Sequence, residues 1–161
     1  MSAPPRHLVS LWNPSYAVDA MDSHLSVLVE RVRAHREGKL PEEEVHVWWG
    51  RVRSERRKDP LPHMADVLEL DDQIEAEIPT HLYLTDYNSL YVADLARVTV
   101  DDVRAQGETA IPSYYKDLSC DLWFQICDIR RLVAQDTRGV IQELGRLHNT
   151  RYHDHPVSLY G

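Results

Sequence analysis

The chain predicts an α+β fold, and three features of the sequence carry that reading. Short β-type segments and amphipathic helical segments follow one another without a regular βαβ repeat. A hairpin, rather than a helical crossover, joins two of the central strands. Aromatic and β-branched residues dominate the longest apolar stretch, Leu122 to Leu132. The order strand, helix, strand, helix, hairpin, strand, helix, strand favours α+β over a doubly wound sheet. Periodicity leaves open whether the sheet closes into a barrel.

The elements follow in order. His7 to Trp12 reads as a first strand, ended by Asn13-Pro14-Ser15, because proline cannot donate to a ladder and asparagine favours turns. A helix fits Val18 to Ala34: Val18, Met21, Leu25, Leu28 and Val32 recur at helical spacing, and Gly38 stops it. Val45 to Val52 fits a second strand. Past Pro60 and Pro62, Met64, Val67, Leu68 and Leu70 mark another helix, with Pro79 beyond its end. His81 to Thr99 forms a hairpin around the turn residues Asp86-Tyr87-Asn88-Ser89. Asp101 to Arg104 reads as one helical turn, and Ile111 to Tyr115 as an irregular segment carrying two tyrosines. Leu122 to Leu132 fits strand or helix by period alone; Trp123, Phe124, Ile126 and Ile129 favour a strand. A helix fits Thr137 to Leu147, and Pro156 to Tyr160 a last strand.

Composition narrows the function classes. A chain of 161 residues with 43% hydrophobic content fits one domain with its own core. No apolar run reaches the length of a membrane span, and the start lacks the apolar centre of a signal peptide. The two cysteines, Cys120 and Cys127, have neither zinc-ribbon nor redox-pair spacing. They read as small apolar fillers in a cytoplasmic protein. A net charge of −8 argues against tight nonspecific binding along a duplex, which needs many phosphate contacts. It leaves room for a compact reader with one local basic patch.

That patch follows the most informative stretch of the chain, Trp48-Trp49-Gly50. Arg51, Arg53, Arg56, Arg57 and Lys58 come directly after it. Alternation along a strand sends one indole inward and leaves the other to line a cleft. Gly50 allows backbone to approach a ligand. An aromatic wall beside guanidinium groups suits a planar base attached to phosphate. The plainer readings are core packing for each tryptophan and a solvated turn for the basic run.

Four segments in the right order resemble the EVE domain of the PUA-like superfamily, which also holds YTH and ASCH modules. They are Asn13-Pro14-Ser15-Tyr16-Ala17-Val18-Asp19 after a strand, and Trp49-Gly50-Arg51-Val52-Arg53. The hairpin Leu82-Tyr83-Leu84 with Leu90-Tyr91-Val92-Ala93 is the third. The fourth runs from Tyr114-Tyr115 through Trp123, Cys127-Asp128-Ile129 and Val140 to Leu147, ending at Pro156-Val157-Ser158. Leu11-Trp12, Thr85-Asp86 and Ser54 to Arg57 depart from the family pattern, so the chain resembles a divergent member.

The resemblance implies a single domain over 1–161, a PUA-like twisted β-barrel of about five to six strands with surrounding helices. It also implies a noncatalytic, cofactor-free module that reads a modified or flipped base in DNA or RNA, and that targets a fused or associated effector in restriction or defence. The abrupt end at Gly161 suggests the N-terminal module of a longer protein, a hypothesis that a coding sequence ending there would refute. On this reading Trp12, Tyr16 and either Trp48 or Trp49 wall the pocket, with Gly50 beside them. Asn13, Ser15 and Asp86 read the base edge, and Arg51, Arg53, Arg56 and Arg57 hold phosphates on the rim. The alternative is a protein-interaction or regulatory domain on the same scaffold, without nucleic-acid binding. A metal site at His148, His153, Asp154 and His155 matches no known ligand spacing, and Asp71-Asp72 with Glu69 and Glu75 reads as a solvated helix end.

Overall fold

A computed structural model describes residues 6–53, 64–148 and 157–159. Its strands are β1 (Leu8–Leu11), β2 (Val47–Val52), β3 (His81–Thr85), β4 (Leu90–Thr99), β5 (Cys120–Val133) and β6 (Val157–Leu159). Its α-helices are α1 (Ala20–Arg36), α2 (Met64–Glu75) and α3 (Thr137–His148). The strands form one mixed sheet in the order β2-β5-β4-β3-β1-β6. β1 runs parallel to both β3 and β6; the β3–β4, β4–β5 and β2–β5 pairs are antiparallel. The α+β class, the hairpin and the strand at β5 are all present.

Helix α1 buries Ala20, Met21, His24 and Leu28 against the sheet. It begins two residues later than its apolar spacing suggests. Val18 stands 95% exposed in the loop before it. At the other end Gly38 takes φ +73°, a left-handed conformation that terminates a helix without a Cβ clash. The expected helical turn at Asp101 to Arg104 is a pair of tight turns, with Ala105 N–H donating to Asp102 O and Gln106 N–H to Val103 O.

Two apolar clusters lie on opposite sides of the β2–β5 region. The larger gathers Leu8, Met21, Leu28, Val47, Trp49, Val67, Leu70, Leu82, Leu84, Leu122, Phe124 and Ile126, among others. The smaller holds Trp48, Val103, Ala110, Tyr115 and Trp123. Both faces of β2 and of the first half of β5 are therefore covered, and Leu122, Trp123 and Phe124 are all buried in succession. Further along, β5 bulges against β4: Asp94 pairs with Cys127 but Val92 with Arg130. Asp128 adopts φ +51° in that bulge. Asp71, expected at a solvated helix end, instead accepts a hydrogen bond from Val98 N–H at 3.0 Å and ties α2 to β4. Among the described residues no helix is long and apolar enough to cross a membrane.

Candidate functional site

The exit of β1 and the edge strand β2 meet at the N-terminus of α1, and a cleft opens between them. Trp12, Asn13 and Tyr16 contribute from the β1–α1 connection. Trp49, Gly50 and Arg51 contribute from β2, and Tyr114 and Tyr115 close the back. The connection is shaped by its own sequence. The Asn13 side-chain oxygen accepts from Ser15 N–H at 2.9 Å, and Asn13 O accepts from Tyr16 N–H at 3.2 Å. This local turn carries Tyr16 outward, where it is 38% exposed. Trp12 is half-buried. Its ring meets Trp49 edge-on at 5.7 Å and leans on Tyr91 at 6.2 Å. The accessible volume is about 20 Å³, enough for about one water molecule.

Strand alternation sorts the Trp-Trp-Gly-Arg stretch. Trp49 and Arg51 share the face that looks toward α1 and the cleft. Trp48 is on the other side, 1% exposed in the smaller cluster with Tyr115 and Trp123, its ring edge-on to His46 at 5.8 Å. Trp48 is therefore a core residue and no wall of the cleft. Gly50 is needed for packing: a Cβ there would sit 2.7 Å from Cys120 Sγ and 2.7 Å from the Trp123 ring. Arg51 is 4% exposed and forms part of the inner wall rather than the rim. Arg53 is exposed, 4.0 Å from Asp121. Arg56 and Arg57 lie outside the described residues, as do His153, Asp154 and His155.

Two expected base-edge readers stand elsewhere. Asp86 Oδ1 accepts from Asn88 N–H and Ser89 N–H, each at 2.9 Å. Its carboxylate thus closes the β3–β4 turn and is turned away from the cleft chemistry assigned to it. Ser15 is exposed on the connection and does not line the cleft.

The sequence reading missed the polar centre behind the cleft. His24 is fully buried on α1 and stacks on Trp49 at 3.9 Å and 22°. Its Nδ1 lies 2.7 Å from Ala20 O, and its Nε2 lies 3.1 Å from the Tyr115 hydroxyl. Burial drives its pKa down to about 3 against the partial support of the Ala20 and Trp48 carbonyls, so the ring is neutral. Burial likewise pushes the Tyr115 and Tyr114 phenols upward. The Tyr114 and Tyr115 rings lie 4.2 Å apart. Arg104 fixes this segment. Its Nη1 donates to Tyr115 O and Leu118 O, each at 2.7 Å, and its guanidinium lies 5.2 Å from the Trp123 ring centre. One signal for His24 was present in the sequence: a polar residue inside the apolar stripe Met21, Leu25, Leu28.

The arrangement offers aromatic edges, one buried guanidinium and a neutral hydrogen-bonded floor. Among the described residues no group of three or more His, Cys, Asp or Glu side chains gathers in a way that would hold a metal.

Neither a curated protein nor a solved structure matches the chain. A family model does. The Pua-like model covers residues 23–152, from the first turn of α1 past the end of α3, and so spans β2 to β5 but neither β1 nor the connection that carries Trp12, Asn13 and Tyr16. With that match across most of its length, the chain belongs to the PUA-like family.

Proposed function

We propose that this PUA-like domain is a noncatalytic nucleic-acid-binding module of the EVE type, and that a flipped or modified base in DNA or RNA enters the cleft between the β1–α1 connection and β2. One observation carries the reading: Trp12, Asn13 and Tyr16 converge with Trp49, Gly50 and Arg51 on a single concavity. At about 20 Å³ the cleft is too small for a base, so entry requires Tyr16 and the connection that bears it to swing outward. The exposure of that connection supports the movement. The base would then stack against Trp12 and displace the space-filling contacts of Tyr16. Arg53 and the basic run after it would take flanking phosphates, which suits a short single-stranded contact better than a long duplex track. An attached or associated effector would supply any chemistry.

The test is a binding screen of the full chain against oligonucleotides carrying a panel of modified bases, at two salt concentrations. Selective binding is expected. Trp12→Ala should weaken it by roughly 5- to 150-fold, the equivalent of about 1–3 kcal/mol for one lost stack, and Tyr16→Ala, which clears the entrance, should tighten it. Cooperative melting of both variants would show that the fold survives. Selective binding unaffected by either change would remove the pocket assignment.

A second reading has its own support. A hollow of about 760 Å³ lies between the outer side of α1 and β5, lined by Leu25, Leu28, Val29, Val32 and Ile129. Together with the net charge of −8 it favours a protein-interaction domain on the same scaffold. No retention on any nucleic acid at low salt would decide for this second reading.

A further inference from the structure

We propose that the ligand of the cleft is a strand rather than a free base, and that the nucleotide beside the flipped base sets its phosphate on Arg131, reached across Tyr91. The inference rests on the base-binding reading and adds the path by which the strand leaves the cleft.

Tyr91 carries the aromatic wall of the cleft onto the sheet. Its ring lies 6.2 Å from that of Trp12, and both residues are half-buried against the larger cluster, which also holds Trp49. Tyr91 pairs with Arg131 across the antiparallel β4–β5 ladder. Residues directly opposite each other in such a ladder project from one face, with Cβ atoms about 5 Å apart. Arg131 therefore stands beside Tyr91 on the face that Trp12 and Trp49 share. Alternation along β5 gives the same answer: Ile129, two residues earlier, packs on the larger cluster.

Charge separates Arg131 from its neighbour. Arg130 sits opposite Val92 on the other face, and its Nη2 donates to Asp128 Oδ2 at 2.9 Å. Arg131 is exposed and has no ion pair among the described residues. Leu90 pairs with Val133 and Tyr91 with Arg131, so Leu132 is an extra residue in β5. Such a bulge bends the strand and re-aims the side chains beside it. An exposed guanidinium with no carboxylate to hold it is open to a phosphate. Arg53 belongs to the far end of the same strand, where its N–H donates to Ser119 O at 2.8 Å; Trp49, opposite Phe124, lies between the two cations along β5. A base held at Trp12 would thus have a phosphate site on either flank. A free base or nucleoside has no phosphate and leaves Arg131 unused.

The experiment titrates two nine-nucleotide single strands, identical but for a central cytosine or 5-methylcytosine, into wild type, Arg131→Gln, Arg131→Lys and Arg130→Gln over a salt series. One lost phosphate contact on a single strand lowers the slope of log K against log salt by about 0.7, so Arg131→Gln should bind roughly 8-fold more weakly at about 0.05 M salt and roughly 3-fold at about 0.2 M. Arg131→Lys keeps a point charge and should keep most of the slope. Arg130→Gln makes the same change in net charge on the opposite face and should leave the slope as in wild type. The ratio between the two strands should be the same in Arg131→Gln as in wild type, because a phosphate contact carries no base information. An unchanged slope in Arg131→Gln, an equal drop in Arg130→Gln, or an altered ratio between the strands overturns the inference and leaves base binding standing. Failure of wild type to bind either strand at the lowest salt overturns both.

Discussion

Acid should unfold this protein through His24. The ring is fully buried and its pKa falls from the ordinary 6.5 to about 3, chiefly because burial strips water from the charged form. The unfolded chain therefore binds a proton that the folded chain refuses between about pH 6.5 and pH 3. Stability conferred by this group is complete above pH 6.5 and declines as pH falls toward 3. At about 1.4 kcal/mol per pH unit the full loss is roughly 5 kcal/mol, comparable to the whole stability of a marginal domain. Urea unfolding at a series of pH values between 7 and 4 measures it. Carboxylates also titrate toward the lower end, so the control is His24→Gln, which has no proton to gain. The slope of wild type minus that of His24→Gln isolates the histidine and should approach about 1.4 kcal/mol per pH unit below pH 6. Parallel curves, or a His24 NMR titration with its midpoint near 6.5, would refute the reasoning. The variant should also start less stable at pH 7, because Tyr115 loses a buried acceptor.

Other outcomes follow from packing and hydrogen bonding. Gly50→Ala should cost about 1–3 kcal/mol in a thermal or urea melt, since its Cβ would press on Trp123 and Cys120, both fixed in the smaller cluster. Asp86→Ala should lose about 1–2 kcal/mol through the two backbone bonds of the β3–β4 turn while leaving oligonucleotide affinity unchanged, a result read from paired melts and titrations. Burial pushes the Cys120 thiol up to about 12 and the Cys127 thiol up to about 11. Thiol-reagent labelling at pH 8 should therefore be at least about a hundredfold slower in the native protein than in urea.

Most of the fold was legible because local chemistry and tertiary pairing agree. The turn residues Asp86 to Ser89 separate two alternating runs, and the β3–β4 hairpin forms there. The aromatic and β-branched content of Leu122 to Leu132 resolved a stretch that period alone left ambiguous, and β5 occupies it. The α1 stripe gave the helix but misplaced its start, because Val18 has helical spacing without a core to meet. Of the cleft, Trp12, Asn13, Tyr16, Trp49, Gly50 and Arg51 were legible as neighbours of the two strand ends. Their roles were less so: Gly50 serves Trp123, and Asp86 serves its own turn.

The sequence by itself determined the alternation of elements, the acidic total and the clustering of aromatic residues next to arginines, since composition and period are local properties. Tertiary structure decided which indole faces which cluster. Both sides of β2 are buried, so no polar–apolar alternation marks its orientation. It also decided the hydrogen-bonded centre. His24 and Tyr115 stand 91 residues apart and become partners only when α1 packs across the edge of β2. Burial from that packing makes the histidine neutral, whereas the chain shows it merely as a polar residue within an apolar stripe.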